Sequence, residues 1–331
     1  LIGAQLRTMS RRFEHPLAFV LALAATSLLF LSGLGIPLAG VLLLPLVPQP
    51  ALAYGMRYGK LPAVLLTAAA SGLLLLVGGV EAGLGFMLLA LMVVMLFLSF
   101  GRGWSIEAVV SGTAGGMLAV TIGCLLGFTG SFGALAQATR SSLQQSLDLS
   151  LMIYQKAGLS AETVELARQR APEVIDMIVH ILPAVAFVSF VAMILINLVL
   201  LSYRFPQYRP GFYSIKDPKE WQTPEPMIWC FILAGFGLFL PDGVVPAGWA
   251  LQTVALNVLL VVALFYFFQG LAIVAYFFHH KRVPLFLRGV GYGLIALEQL
   301  ATLSIVGLGL FDLWGDFRRL KKRDLNPTEA A

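Results

Sequence analysis

Charged side chains are scarce in this chain, 12% of 331 residues, where an ordinary soluble domain carries about 25%. That leaves too little ionic surface to clothe a water-soluble globule and argues against a cytoplasmic enzyme domain. Thiols are scarcer still: the two cysteines, Cys124 and Cys230, lie in separate apolar stretches with no metal-ligand spacing, so neither a disulfide framework nor a zinc site is expected. Four histidines are present, and His180, His279 and His280 have no correlated carboxylate or cysteine to complete a metal site. The phosphate-cradling GxxxxGK loop, HExxH and GxSxG are all missing. Catalysis by a familiar route is not expected, and no cofactor is implied. The net charge of +5 does not point to a nucleic-acid partner, because in so apolar a chain the position of each Lys and Arg matters more than the sum.

What the chain has in abundance is hydrocarbon. Residues of the apolar and aromatic classes make up 59%, gathered in runs at about 17–34, 36–56, 61–78, 82–100, 105–130, 177–202, 227–243, 250–278 and 286–311. A helix of roughly 20 apolar residues crosses about 30 Å of hydrocarbon, so the expected fold is all-α, a polytopic transmembrane helical bundle of eight or nine spans. Arg7, Arg11 and Arg12 precede a first run too long for a typical signal-peptide core, which reads as a retained anchor. The second run contains Pro37, Pro45, Pro48 and Pro50. It must bend or unwind, which a membrane tolerates only where neighbouring helices or a water-filled cavity satisfy the freed carbonyls.

Basic residues bear on orientation. With the N-terminus cytoplasmic, nine spans put thirteen Lys and Arg inside and nine outside; if 227–243 dips in without crossing, the count is fifteen to seven. The eight-span path is favoured because it returns the FRRLKKR tail to the cytoplasm, at the expense of placing His279 to Arg282 outside. The chain then divides into N-terminal membrane helices over 1–130, an extracytoplasmic insertion over 131–176, C-terminal membrane helices over 177–316 and a basic tail over 317–331. The expected location is the cytoplasmic (inner) membrane of a bacterium.

In the insertion, Leu143, Leu147, Leu151 and Tyr154 recur at helical spacing, as do Val164, Ala167, Ala171, Val174 and Ile178, with Ser160 placed as an N-cap. This predicts two short amphipathic helices, either lying on the outer membrane face or covering the bundle, as a plain linker or as a lid. Segment 203–226 mixes Tyr203, Phe205, Tyr208, Phe212, Tyr213 and Trp221 with Arg204, Arg209, Lys216 and Lys219, the composition of a stretch seated among lipid headgroups or docking a soluble partner.

Candidate functional residues are few. Ser111, Gly115, Ala119, Gly123 and Gly127, each four apart, form a helix-packing stripe for close approach of another helix, within the bundle or from another subunit. Glu298 is the carboxylate that lies deepest inside an apolar run, which makes it the default functional candidate; a hydrogen-bonded structural role reads equally well. Tyr266, Gln269, Ile273 and Tyr276 share one helix face, and Asn257 lies about 120° away. As a substrate-binding set we take Glu298, Gln269, Tyr266 and Asn257 with Pro45 and Pro48 at the broken span. The same side chains also serve as interhelical glue, and Asn197 is ambiguous in the same way.

The stretch NVLLVVALFYFFQGLAIVAYFF at 257–278, the turn LFLRGVGYG at 285–293, the terminal GLFDLWGDFRRL at 309–320 and YGMRYGK at 54–60 after the proline-rich run together resemble the YybS-like family of uncharacterised bacterial multi-pass membrane proteins. That family is distantly similar to the S components of energy-coupling-factor transporters, compact helical bundles that capture a small solute and work with an energising module. The resemblance implies solute binding or transport, with lipids and another membrane subunit or energising module as partners. It assigns no residue a role. The alternative is a non-transporting scaffold or assembly factor for a partner membrane protein.

Overall fold

The computed structural model describes residues 2–36, 40, 42–158, 160–208, 221–240 and 248–318. Pro37, most of the aromatic-basic segment and the tail beyond Arg318 lie outside the described residues. Those described form ten α-helices and two short 3₁₀ turns, with no strand among them. In chain order the α-helices are α1 (Ile2–Gly35), α2 (Gln49–Tyr58), α3 (Lys60–Ser99), α4 (Ile106–Thr129), α5 (Phe132–Lys156), α6 (Ala161–Arg204), α7 (Met227–Phe239), α8 (Gly248–His280), α9 (Leu285–Leu297) and α10 (Gln299–Gly315). Five are long and apolar enough to cross a membrane, or six if α9 and α10, bent by 100° at their break, form one span. The chain is a multi-pass membrane protein.

The chain forms two compact units, residues 1–128 with 189–214 and residues 129–188 with 215–331. In the first, α3 is forty residues long but reverses on itself. Gly79 adopts φ 81°, a left-handed conformation that costs a side-chain-bearing residue energy and glycine little. The Lys60 ammonium donates to the Phe100 carbonyl at 3.4 Å, whereas a straight helix would hold those ends about 60 Å apart at 1.5 Å per residue. The two arms are the runs expected at 61–78 and 82–100. They enclose α2, whose Ala51, Leu52 and Ala53 are buried; a Cβ at Gly55 would overlap both Ala63 and Phe97, one from each arm.

The proline-rich run is broken as expected. A 3₁₀ turn spans Leu44–Leu46, Pro48 precedes α2, and α2 itself has only ten residues. Proline at 45, 48 and 50 removes three backbone donors from one short stretch, so no single helix forms.

The insertion is helical and amphipathic. Ser131 and Ser160 cap its helices, their hydroxyls accepting from the Ala134 and Thr163 amides at 3.1 and 3.2 Å. Neither helix is short, however: α5 has 25 residues, and α6 continues through 44 residues into the apolar run. At 1.5 Å per residue α6 is about 66 Å long, twice the hydrocarbon thickness. Leu151, Val164 and Ile175 are buried, while Tyr154 and Val174 face outward; Ile175 takes the inward place expected of Val174. Arg140 and Asp176 tie the two helices, the guanidinium Nε donating at 3.0 Å.

Apolar exposure is inverted relative to a soluble protein. Leu76, Phe239, Leu285 and Leu297 are each more than four-fifths exposed, as lipid-facing positions are.

Candidate functional site

Side-chain amides sit at three junctions where the backbone is interrupted or helices cross. In the first unit the freed backbone of the proline-rich run is met by Asn197 of α6, which is fully buried. Its Nδ2 donates to the Pro45 carbonyl and to the Met193 carbonyl, both at 2.8 Å. Gln49 Nε2 donates to Asn197 Oδ1 and to the Asn197 carbonyl, each at 2.9 Å. A neighbouring helix thus supplies what proline removed.

In the second unit Asn257 of α8 clasps α6 beside Pro183. Its Oδ1 accepts from the Ala184 amide and its Nδ2 donates to the His180 carbonyl, both at 2.7 Å. Ala184 and His180 are the donor and acceptor of one helical turn, so the carboxamide caps both ends of that turn. Nδ2 also donates to Thr253 of its own helix at 2.8 Å.

The third junction carries charge. Asp312 on α10 and Arg318, just past its end, are 2% and 3% exposed, and Nη2 of Arg318 donates to Asp312 Oδ2 at 2.8 Å. That same oxygen accepts from Gln269 Nε2 at 3.1 Å, and Oδ1 accepts from the Phe317 amide at 2.9 Å. Gln269 Oε1 accepts from the Thr223 amide at 3.1 Å, the Thr223 hydroxyl donates to the Phe265 carbonyl at 3.3 Å, and Arg318 Nη1 donates to the Trp221 carbonyl at 2.9 Å. A buried charge pair of this kind needs its remaining lone pairs and protons satisfied to offset desolvation, and Gln269, Phe317 and Trp221 supply three of those bonds.

Close helix approach makes this possible. A Cβ at Gly309 would overlap the Tyr266 carbonyl oxygen and one at Gly270 the Ile305 carbonyl oxygen, so only glycine at both lets α8 and α10 touch backbone to backbone. Tyr266 is fully buried, packs edge-on against Phe231 at 6.0 Å, and its hydroxyl has no hydrogen-bond partner among the described residues.

Of the residues nominated from sequence, Tyr266 and Gln269 lie together at this junction. Asn257 stands at a separate junction of the same unit, and Pro45 and Pro48 belong to the other unit. Glu298 occupies the 100° break between α9 and α10 and is exposed. The stripe of α4 is divided from its packed face: Val109, Val110, Thr113, Ala114 and Met117 are buried, and a Cβ at Gly116 would overlap Met95. No described residue lies within 4 Å of a Cβ placed at Gly115, Gly123 or Gly127. Sequence reasoning missed Asp312 and Arg318. Asp312 stands one residue beyond the last apolar run, six before an arginine, and opposite the face bearing Gln269; the first two signals are visible in the sequence and the third is not.

Comparison with known proteins returns the same picture of a membrane family without an assigned activity. The family of predicted membrane proteins designated DUF2232 matches residues 24–313. The uncharacterized protein YybS of Bacillus subtilis (strain 168) is 20% identical over 249 residues, covering 75% of this chain and 79% of that protein. No solved structure matches the chain.

Proposed function

Since this chain belongs to the DUF2232 family of predicted membrane proteins, we propose that it acts as a non-enzymatic scaffold in the bacterial cytoplasmic membrane, receiving a transmembrane helix of another subunit on α4. The observation that carries this reading is the small-residue stripe of Ser111, Gly115, Ala119, Gly123 and Gly127, which is exposed from Ala119 onward and open to an added Cβ at Gly115, Gly123 and Gly127, away from the packed face. Helices associate in lipid through close van der Waals contact, and a ridge without side chains permits it. The engagement of Gln269, Asn257 and Asn197 with other parts of the chain supports the same reading, since these amides hold helices together.

A double substitution, Gly115→Ile with Gly123→Ile, tests this. Native mass spectrometry of protein extracted into lipid nanodiscs should show a higher-mass assembly with wild-type protein and its loss with the variant, while thermal stability stays within about 0.5 kcal/mol, since an added Cβ meets nothing at either position. A wild-type protein that extracts alone, or an assembly that survives the substitution, overturns the reading.

Solute capture, as in the S components, is favoured by one observation, the buried Tyr266 hydroxyl with no partner beside Gln269. A buried polar atom of this kind calls for a bound acceptor or donor. Tyr266→Phe would then abolish a small-molecule adduct seen by native mass spectrometry; the absence of any adduct on wild-type protein overturns this second reading.

A further inference from the structure

We infer that the chain leaves α10 on the same membrane face from which it enters α7, so that the aromatic-basic segment 203–226 and the basic tail 317–331 open onto one side. The inference rests on depth. Arg318 bonds the Trp221 carbonyl and Asp312 at 2.9 and 2.8 Å, while Thr223 and Asp312 both bond Gln269 at 3.1 Å. Arg318, at the start of the tail, and Trp221 and Thr223, shortly before α7, therefore lie at one level along α8.

Neither flanking segment is able to cross hydrocarbon from there. Segment 203–226 contains five prolines and four Lys and Arg, and 317–331 contains five Lys and Arg. Stretches so rich in proline and charge are not ones that hydrocarbon accepts. Each segment reaches water on the near side, and two groups held at one level share that side.

The consequence is a parity rule. Between Trp221 and Arg318 lie three apolar runs, and an even number of them crosses. At 33 residues α8 is about 50 Å long and spans the bilayer. One of the other two does not cross: α7, whose 13 residues reach about 20 Å, or the pair α9 and α10, bent by 100°. The nine-span path is excluded, and the two basic segments together mark their face as cytoplasmic.

Cysteine accessibility decides this. In the full-length chain with Cys124 and Cys230 replaced by alanine, Gln207→Cys and Asn326→Cys are labelled with a membrane-impermeant maleimide in intact cells and again after permeabilisation. Both positions should stay unlabelled until the membrane is opened and then react to similar extents. Labelling of one from outside and protection of the other overturns the shared face. Labelling of both from outside overturns the cytoplasmic assignment. Should either cysteine stay silent after permeabilisation, a protease site inserted at the same position in sealed right-side-out and inside-out vesicles gives the same two outcomes by cleavage.

Discussion

At Asn197 a neutral carboxamide repairs a backbone interrupted by prolines; at Asp312 an ionised pair joins three segments that are far apart in sequence. Both junctions are buried, and at both a single side chain gathers hydrogen bonds from more than one segment. They differ in what happens when one member is lost. A neutral junction without its amide leaves one carbonyl unmet, whereas a charged junction without its cation leaves a carboxylate in a medium that cannot solvate it. The first is therefore a local repair, and the second is a dependency shared by the end of α10, Gln269 of α8 and the entry to α7.

The largest expected effect tests that distinction directly. Arg318→Met should destabilise the protein by about 3–5 kcal/mol, the cost of an uncompensated buried charge, and Asp312→Leu on the same background should recover part of the loss; thermal unfolding in detergent reads both. If Arg318→Met costs no more than an average surface substitution, the pair is not buried as described. Next comes the glycine seam: Gly309→Val should cost about 1–3 kcal/mol through overpacking, and an unchanged midpoint would mean that α8 and α10 do not approach as closely as Gly270 and Gly309 imply.

The neutral junction should respond more weakly than the charged one. Asn197→Leu leaves the Pro45 carbonyl unmet and should cost about 1–3 kcal/mol, with faster amide exchange confined to α2 and the preceding turn. A loss as large as that of Arg318→Met would erase the contrast between the two junctions. The smallest effect belongs to Glu298→Gln. Because Glu298 is exposed, its neutralisation should leave the unfolding midpoint within about 0.5 kcal/mol of wild type, and a large shift would return it to the centre of any functional account.

Legibility followed the range of each interaction. The breakage at Pro45 and Pro48, the cap at Ser160 and the runs themselves depend on residues within a few positions of one another, so the sequence displays them. Ser160 was expected as a cap and is one. Gln269 and Tyr266 were legible as one polar face of α8, because helical spacing fixes that face. The partners of Gln269, Asp312 and Thr223, lie 43 and 46 positions away, and no periodicity reaches that far. Glu298 drew attention for its apolar neighbours, yet apolar neighbours in sequence do not bury a side chain that sits at a helix break.

By itself the sequence determined that this protein is an all-helical, multi-pass membrane protein, for a physical reason that operates locally: hydrocarbon forces the backbone of each apolar run to satisfy its own hydrogen bonds, and the helix is the single-segment solution. Only the tertiary structure decided which polar groups meet. Arg318 is paired with Asp312 and Trp221 because two glycines let α8 and α10 touch, and Asn197 serves Pro45 because α6 passes beside the proline break. Those outcomes depend on which helices pack together, and packing in lipid is set by contact surfaces contributed from distant parts of the chain.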